Sequence, residues 1–279
     1  MVVTLNTNQS AMIALQNLAL SNSQLDKVQK RISTGLNVSD ALDNAGVFAV
    51  AQRMRADVKA YDAVSQSVSR GTNIVNVALA AAEGISNLLI EMKNKAVAAA
   101  DPSLTNANRI LYDQDYQALK SQMLTMIDSA TFDGFNLIDK SPPVPATDDL
   151  QVLTEPTANP ANAINIAALD VKSVTTATLG GLTSLTNSQA EVTAINTALD
   201  AVSGNLATLG GAAAKLDAHS VFIVKLQDAL NTGIGNLVDA DLGRESARLQ
   251  SLQIKQQLST QALSIANQRP QQILALFRR

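Results

Sequence analysis

From Met54 to Ala100 apolar residues recur at helical spacing almost without interruption: Met54, Val58, Tyr61, Val68, Val75, Leu79, Ala82, Ile85, Leu89, Met92 and Ala96. The spacing is close to a heptad repeat, so the segment reads as one helix with a continuous apolar seam. Such a helix would be roughly 65 to 70 Å long. An isolated helix with that much apolar face is unstable in water, so the rest of the chain must supply partner helices. Asp101-Pro102-Ser103 ends the run, because proline lacks a donor and disfavours helix in the residue before it.

Candidate partners lie on both sides. Before it, Met12, Leu15, Leu18, Leu25, Val28 and Ile32 form an apolar stripe from Asn6 to Ile32, with Gly35 placed as a C-cap and Leu36 to Gly46 reading as an irregular connector. After it, Ile110, Leu119, Met123, Met126 and Ile127 mark a third helix from Arg109 to Ser129. From Phe132 to about Leu185 the texture changes. Five of the seven prolines, Gly134 and the Val/Thr-rich stretch Val171 to Leu179 suggest turns and short β-hairpins there. Helical spacing returns from Ser188 to Asn236 through Val192, Ile195, Leu199, Val202, Leu206, Leu209, Leu216, Ile223, Leu226 and Leu230, weakened locally at Gly210-Gly211. A last run from Asp241 to Phe277 uses Leu242, Leu249, Leu252, Leu263, Ala266, Ile273 and Phe277. The expected fold is mainly α: long antiparallel helices in a coiled-coil-like bundle formed by both termini, with a small β-hairpin-rich central region. The simplest packing pairs the first helix with the last and the second with the fourth.

Several function classes are disfavoured. Aromatics are 3% of residues and Trp is absent, while Ala, Leu, Val and Ile carry a hydrophobic share of 46%, which suits close helix packing. Charged residues are 16% and the net charge is -3, so nucleic acid is not an expected partner. Without cysteine there is no disulfide or thiolate metal site. The start of the chain has no basic n-region and the apolar runs are short, so neither a cleaved signal nor membrane insertion is expected. His219 is the one histidine and reads as a helix-surface residue, leaving no multi-histidine metal site. Gly233-x-Gly235 and Gly210-Gly211 lack the spacing of nucleotide loops, so no cofactor and no enzymatic activity is expected. Asn8 and Asn37 begin chance N-x-S patterns, and Met92 and Met123 to Met126 read as core filling. Ser141, Thr147, Thr154, Ser173, Thr175 and Thr176 in the middle segment are either solvated turn residues or O-glycosylation acceptors on an exposed surface.

Two sets of motifs are more specific. The first comprises Asn6-Thr7-Asn8, Ala11, Ala14-Leu15, Asn17-Leu18, Ser21, Leu25, Arg31-Ile32-Ser33-Thr34-Gly35-Leu36, Asp43-Asn44-Ala45-Gly46 and Ala51-Gln52-Arg53-Met54. It resembles the start of bacterial flagellins nearly position by position. The second, Asp239-Ala240-Asp241, Glu245-Ser246-Ala247, Leu258 to Ala262, Ala266-Asn267-Gln268-Arg269-Pro270-Gln271 and Leu274 to Arg278, resembles the flagellin end. Phe132-Asp133-Gly134 with Leu137 is similar to the family's turn after its third helix. The similarity spans about the first 140 and the last 90 residues.

The resemblance implies an inner terminal-helix domain (residues 1–40 and 241–279), an outer helical domain (41–140 and 186–240) and a short surface-exposed segment (141–185). It also implies a homopolymer of flagellin subunits, with Leu15, Leu18, Leu25, Ile32, Leu249, Leu252, Leu263, Ile273 and Phe277 on the self-assembly helices. Export unfolded through the flagellar type III apparatus, an export chaperone, contact with filament cap and hook-junction proteins, and an extracellular location come with it. A hook-filament junction protein shares flagellin-like ends and is the alternative. Many flagellins carry an arginine-rich stretch in the second helix that animal innate immune receptors recognise. Here Leu88 to Ala96 instead has Glu91 and Lys93-Asn94-Lys95, so strong recognition is not expected.

Overall fold

The computed structural model describes residues 8–140, 149–157 and 160–276, with side chains through residue 268 except at Pro160. In order the elements are α1 (Gln9–Thr34), α2 (Ala41–Ala99), α3 (Asn106–Ser129), β1 (Leu150–Val152), a 3-10 turn (Pro160–Asn162), β2 (Ile164–Ile166), α4 (Val171–Thr178), α5 (Leu185–Val238) and α6 (Leu242–Leu276). The mainly helical fold with one small antiparallel sheet is the one expected. Two compact units divide the chain, Met1–Ala56 with Ala229–Arg279 and Asp57–Asp228, and α2 and α5 each contribute to both.

In the larger unit, Asp57–Asp228, the core is a helical layer lined by small and aliphatic side chains. From α5 it takes Ile195, Val202, Leu209, Leu216 and Ile223, one every seventh residue, so the heptad seam seen in the sequence is the buried one. Val68, Val75, Ala82, Ile85, Leu89, Met92 and Ala96 of α2 meet it, with Tyr116, Met123 and Ile127 of α3. The second and fourth long helices thus share a core, and Gln227 Nε2 of α5 donates to Asp62 Oδ1 of α2 at 2.9 Å. By length and composition α2 also qualifies as a membrane span, contrary to the reading of short apolar runs. Many of its apolar side chains, Val68, Val75, Ile85 and Leu89 among them, are buried in this core, as in the core helix of a soluble protein. Gly210-Gly211 does not interrupt α5.

The turn from α2 to α3 is fixed by Arg109, which is buried: its Nε donates to Ala99 O at 2.7 Å, Nη2 to Asp101 O at 2.9 Å and Nη1 to Asn106 Oδ1 at 3.0 Å. The first of these satisfies the last carbonyl of α2, and the other two tie the turn to the start of α3. After α3, Phe132 and Phe135 exchange backbone hydrogen bonds across Asp133 (φ 53) and Gly134 (φ 79). Two consecutive positive φ angles are what a type I′ turn requires, and Asp-Gly is among the few pairs that tolerate them.

Beyond this turn β1 and β2 pair antiparallel, with Gln151 opposite Asn165. β1 lies on α2 at Gly71, where a Cβ would stand 2.5 Å from Val152 Cγ2. The stretch Val171 to Leu179, expected as turn and hairpin, is instead mostly the helix α4. Asp170 caps it by accepting from Ser173 N, and Val171 and Thr175, four residues apart, face the core on one side. Capping and one-sided burial outweigh the β preference of valine and threonine. Lys172 ties α4 to Asp128 at 2.7 Å and to Asp139 at 2.9 Å, hydrogen bonds that raise its pKa to about 12.

The connector from α4 to α5 is pinned from both sides. Lys120 Nζ donates to Leu179 O at 2.5 Å, Gln117 Nε2 to Gly180 O at 3.1 Å, and Leu182 N to Asp113 Oδ1 at 2.6 Å. Buried Glu191 accepts from Gly180 N at 3.0 and 2.9 Å and from the Tyr116 hydroxyl. Burial first, and then the Glu191 carboxylate, push the Tyr116 phenol far above its ordinary range.

The smaller unit is built on α1 and α6. Asn8 caps α1 by accepting from Ala11 N at 3.1 Å, and Gly35 ends it in the left-handed conformation (φ 71), donating to Arg31 O at 2.9 Å. The expected connector proves shorter than Leu36 to Gly46. Helical turns begin at Ala41, Asn44 breaks them (φ -162, ψ 102), and its side chain accepts from Val47 N at 3.2 Å to restart the helix. Backbone bonds from Asn37 N to Val238 O (2.7 Å) and from Ala240 N to Gly35 O (2.8 Å) join the two elbows of this unit.

Candidate self-assembly surface

α1 and α6 run antiparallel, the first helix against the last as expected. Reading along α1, Asn8 Nδ2 donates to Ala266 O at 2.8 Å, Asn22 Oδ1 accepts from Gln256 Nε2 at 2.8 Å, and Arg31 Nη1 lies 3.3 Å from Glu245 Oε1. Between these polar pairs Leu25, Val28 and Leu252 are buried together, with Ile32 and Leu249 packed against them. The seam is small. It covers one face of each helix.

A second apolar face is left open on both helices. Met12, Ile13, Leu15 and Leu20 of α1 and Ile254, Leu258 and Ile265 of α6 are between 52% and 62% exposed. Ile13 and Ala14 face Leu258, Ala262, Ile265 and Ala266 across an open groove of about 500 Å³. Burying the remaining exposed part of one such side chain contributes roughly 1 kcal/mol, so seven of them hold several kcal/mol unused within one chain. Helices that are apolar on more than one face belong in the interior of something larger.

The nine assembly positions inferred from the sequence therefore separate. Leu25, Ile32, Leu249 and Leu252 form the seam within the chain, and Leu15 lies on the open face. Leu18 and Leu263 are half-buried. Ile273 is in α6 beyond the described side chains, and Phe277 lies outside the described residues. Ile13, Leu20, Ile254, Leu258 and Ile265 lie outside the stripes the sequence shows most strongly, yet they are open. Their signal was present as a second stripe at sevenfold spacing, Ile13 to Leu20 and Leu258 to Ile265, beside the first.

The candidate acceptor hydroxyls fare unequally. Ser141 and Thr147 lie outside the described residues. Ser173 and Thr176 are exposed, while half-buried Thr154 donates to Asn162 O. Thr175 is a correction: it is fully buried on α4 and donates to Val171 O at 2.9 Å, so the folded unit has no room for a glycan there. His219 is half-buried, 3.3 Å from Thr154 O and with its ring 5.9 Å from that of Phe222.

A pair of antiparallel terminal helices that fills one seam and leaves a second apolar face open defines a class: helical subunits whose terminal core is not completed within one chain. Residues 5–142 match the family model of the bacterial flagellin N-terminal helical region, and residues 192–277 that of the C-terminal helical region. The chain is 43% identical over 275 residues to Flagellin FljK of Caulobacter vibrioides, covering 99% of this chain and 98% of that protein. A flagellin of Brucella melitensis is 36% identical over 284 residues, with 98% of each covered. A crystal structure of Bacillus cereus flagellin aligns with a TM-score of 0.44 at 20% identity, over 66% of this chain and 94% of that one. The chain belongs to the bacterial flagellin family, and is a structural subunit of the flagellar filament. Nothing in these similarities favours the hook-filament junction alternative.

Proposed function

We propose that the open faces of α1 and α6 are where this flagellin polymerises. Each copy covers the apolar face of a neighbour through a heterologous contact that does not close, and a non-closing contact of this kind generates a helical filament. The observation that carries the reading is the cluster of half-exposed aliphatic side chains on both helices, beside a seam too small to hold them firmly in a single chain. In the isolated subunit the ordering entropy of these helices is poorly offset, so they order fully on assembly. The protein is an extracellular structural element, and the exposed side of α4 faces the medium, where Ser173 and Thr176 remain accessible for O-glycosylation. Membership of the family supports unfolded export through the flagellar type III apparatus with an export chaperone, and contact with cap and hook-junction proteins at the filament ends.

Negative-stain electron microscopy of purified protein after seeding tests the central claim. Long helical filaments are expected; dispersed particles under all seeding and salting-out conditions would refute it. Circular dichroism gives a second arm: helix content should rise from monomer to filament, and equal content would remove the coupling of folding to assembly.

A further inference from the structure

We infer that Met12 is a redox-sensitive position of the assembly face, whose oxidation to the sulfoxide blocks incorporation of a free subunit. This rests on the assembly reading given above. The chain has six methionines and no cysteine, so thioethers are its only oxidisable sulfur. Their environments differ sharply. Met92 and Met123 are fully buried in the core of the larger unit, and Met54 and Met126 are half-buried, packed beside Gly233 and Gly84. Met12 is 60% exposed, on the face of α1 that also presents Ile13, Leu15 and Leu20.

Among the described methionines, access to peroxide and membership of the apolar face therefore coincide at Met12. In the reaction the sulfur lone pair attacks one oxygen of hydrogen peroxide, the O–O bond breaks and an S–O bond forms. The departing hydroxide takes up the proton released from the transferred oxygen and leaves as water. Sulfur is oxidised by two electrons and the peroxide is reduced. The product is a polar, chiral sulfoxide where an apolar thioether had to pack, a change that disrupts methionine-containing interfaces. Once a subunit is in the filament, its neighbours cover Met12 and the reaction is suppressed. Sensitivity is confined to subunits not yet incorporated.

The test exposes purified monomer and preformed filament to hydrogen peroxide, locates sulfoxides by peptide mass spectrometry, and measures seeded extension by sedimentation. In monomer, Met12 should oxidise at least about tenfold faster than Met92 and Met123, and several-fold faster than Met12 in filament. Oxidised wild type should lose most of its extension rate. Met12→Leu, which keeps the volume without a sulfur, should extend seeds normally before and after treatment. Equal oxidation of all methionines, the same Met12 rate in monomer and filament, normal extension by Met12-oxidised subunits, or equal inhibition of the Met12→Leu variant would each overturn the inference. Failure of untreated wild type to extend seeds would overturn the assembly reading and this inference with it, whereas normal extension by oxidised subunits overturns this inference alone.

Discussion

Leu258→Asp separates the two apolar faces of α6 experimentally. Leu258 is 59% exposed in the single chain and borders the groove opposite Ile13. A carboxylate there keeps its hydration in the monomer, so the cost to the isolated subunit stays within about 0.5 kcal/mol, as for most exposed substitutions. In the filament the same side chain would be covered by a neighbour. The variant then forfeits roughly 1 kcal/mol of apolar burial, and a carboxylate stripped of water without a partner costs on the order of 3 kcal/mol or more. A deficit of about 4 kcal/mol per subunit is nearly three factors of ten in an equilibrium constant, so the critical concentration should rise several-hundred-fold. Sedimentation of seeded reactions over a concentration series reads this directly. Leu258→Met serves as the volume-matched control and should assemble normally. A folded Leu258→Asp monomer with an unchanged critical concentration would show that this face is not covered in the filament.

Leu252→Ala acts within the chain instead: Leu252 is 6% exposed in the α1–α6 seam, and its truncation should cost about 2 to 3 kcal/mol locally. Hydrogen exchange should then quicken in α1 and α6 while the amides of α3 keep their protection. Gly71→Ala places a Cβ 2.5 Å from Val152 Cγ2 and should destabilise the β1–β2 insert by about 1 to 3 kcal/mol. Adding Val152→Ala should restore part of that loss in thermal melts, and two losses that merely add would exclude the contact. Because the Lys172 pKa is raised from 10.5 to about 12 by Asp128 and Asp139, its stabilisation of α4 should be complete below about pH 10.5 and lost as pH rises through about 12. Lys172→Met should flatten that part of the stability profile, read by urea titration at several pH values.

Much of this architecture is legible in the sequence. The heptad of α5, Ile195 through Ile223, is core because a sevenfold apolar repeat has one consistent way to be buried. Gly35 caps α1 because a left-handed C-cap strongly favours glycine. Periodicity failed where tertiary context decides. Val171 to Thr178 became helical through a cap at Asp170 and burial of Val171 and Thr175, neither visible in residue preferences. Asn44 broke α2 and restarted it with its own side chain, which blurred the connector. The assembly face was half read. The strongest stripe is the seam within the chain, Leu25 with Leu252, and the weaker second stripe is the one the fold leaves uncovered. Off-stripe apolar residues on a helix that already has a seam are the better indicator of an outside partner.

The pairing of α1 with α6 also acts as a timer. The hydrogen bond from Asn8 to Ala266 spans 258 positions of sequence, so the contacts of the smaller unit have very high contact order. A chain appearing from its N-terminus presents α1 first, and the helix that must cover Leu25 and Val28 arrives last. Until then the seam cannot close, whatever the affinity of the two helices, because its second half has not emerged. Topology alone keeps the first segment in an open state throughout synthesis or passage through a pore, and restricts completion of the terminal pair to a chain that is whole.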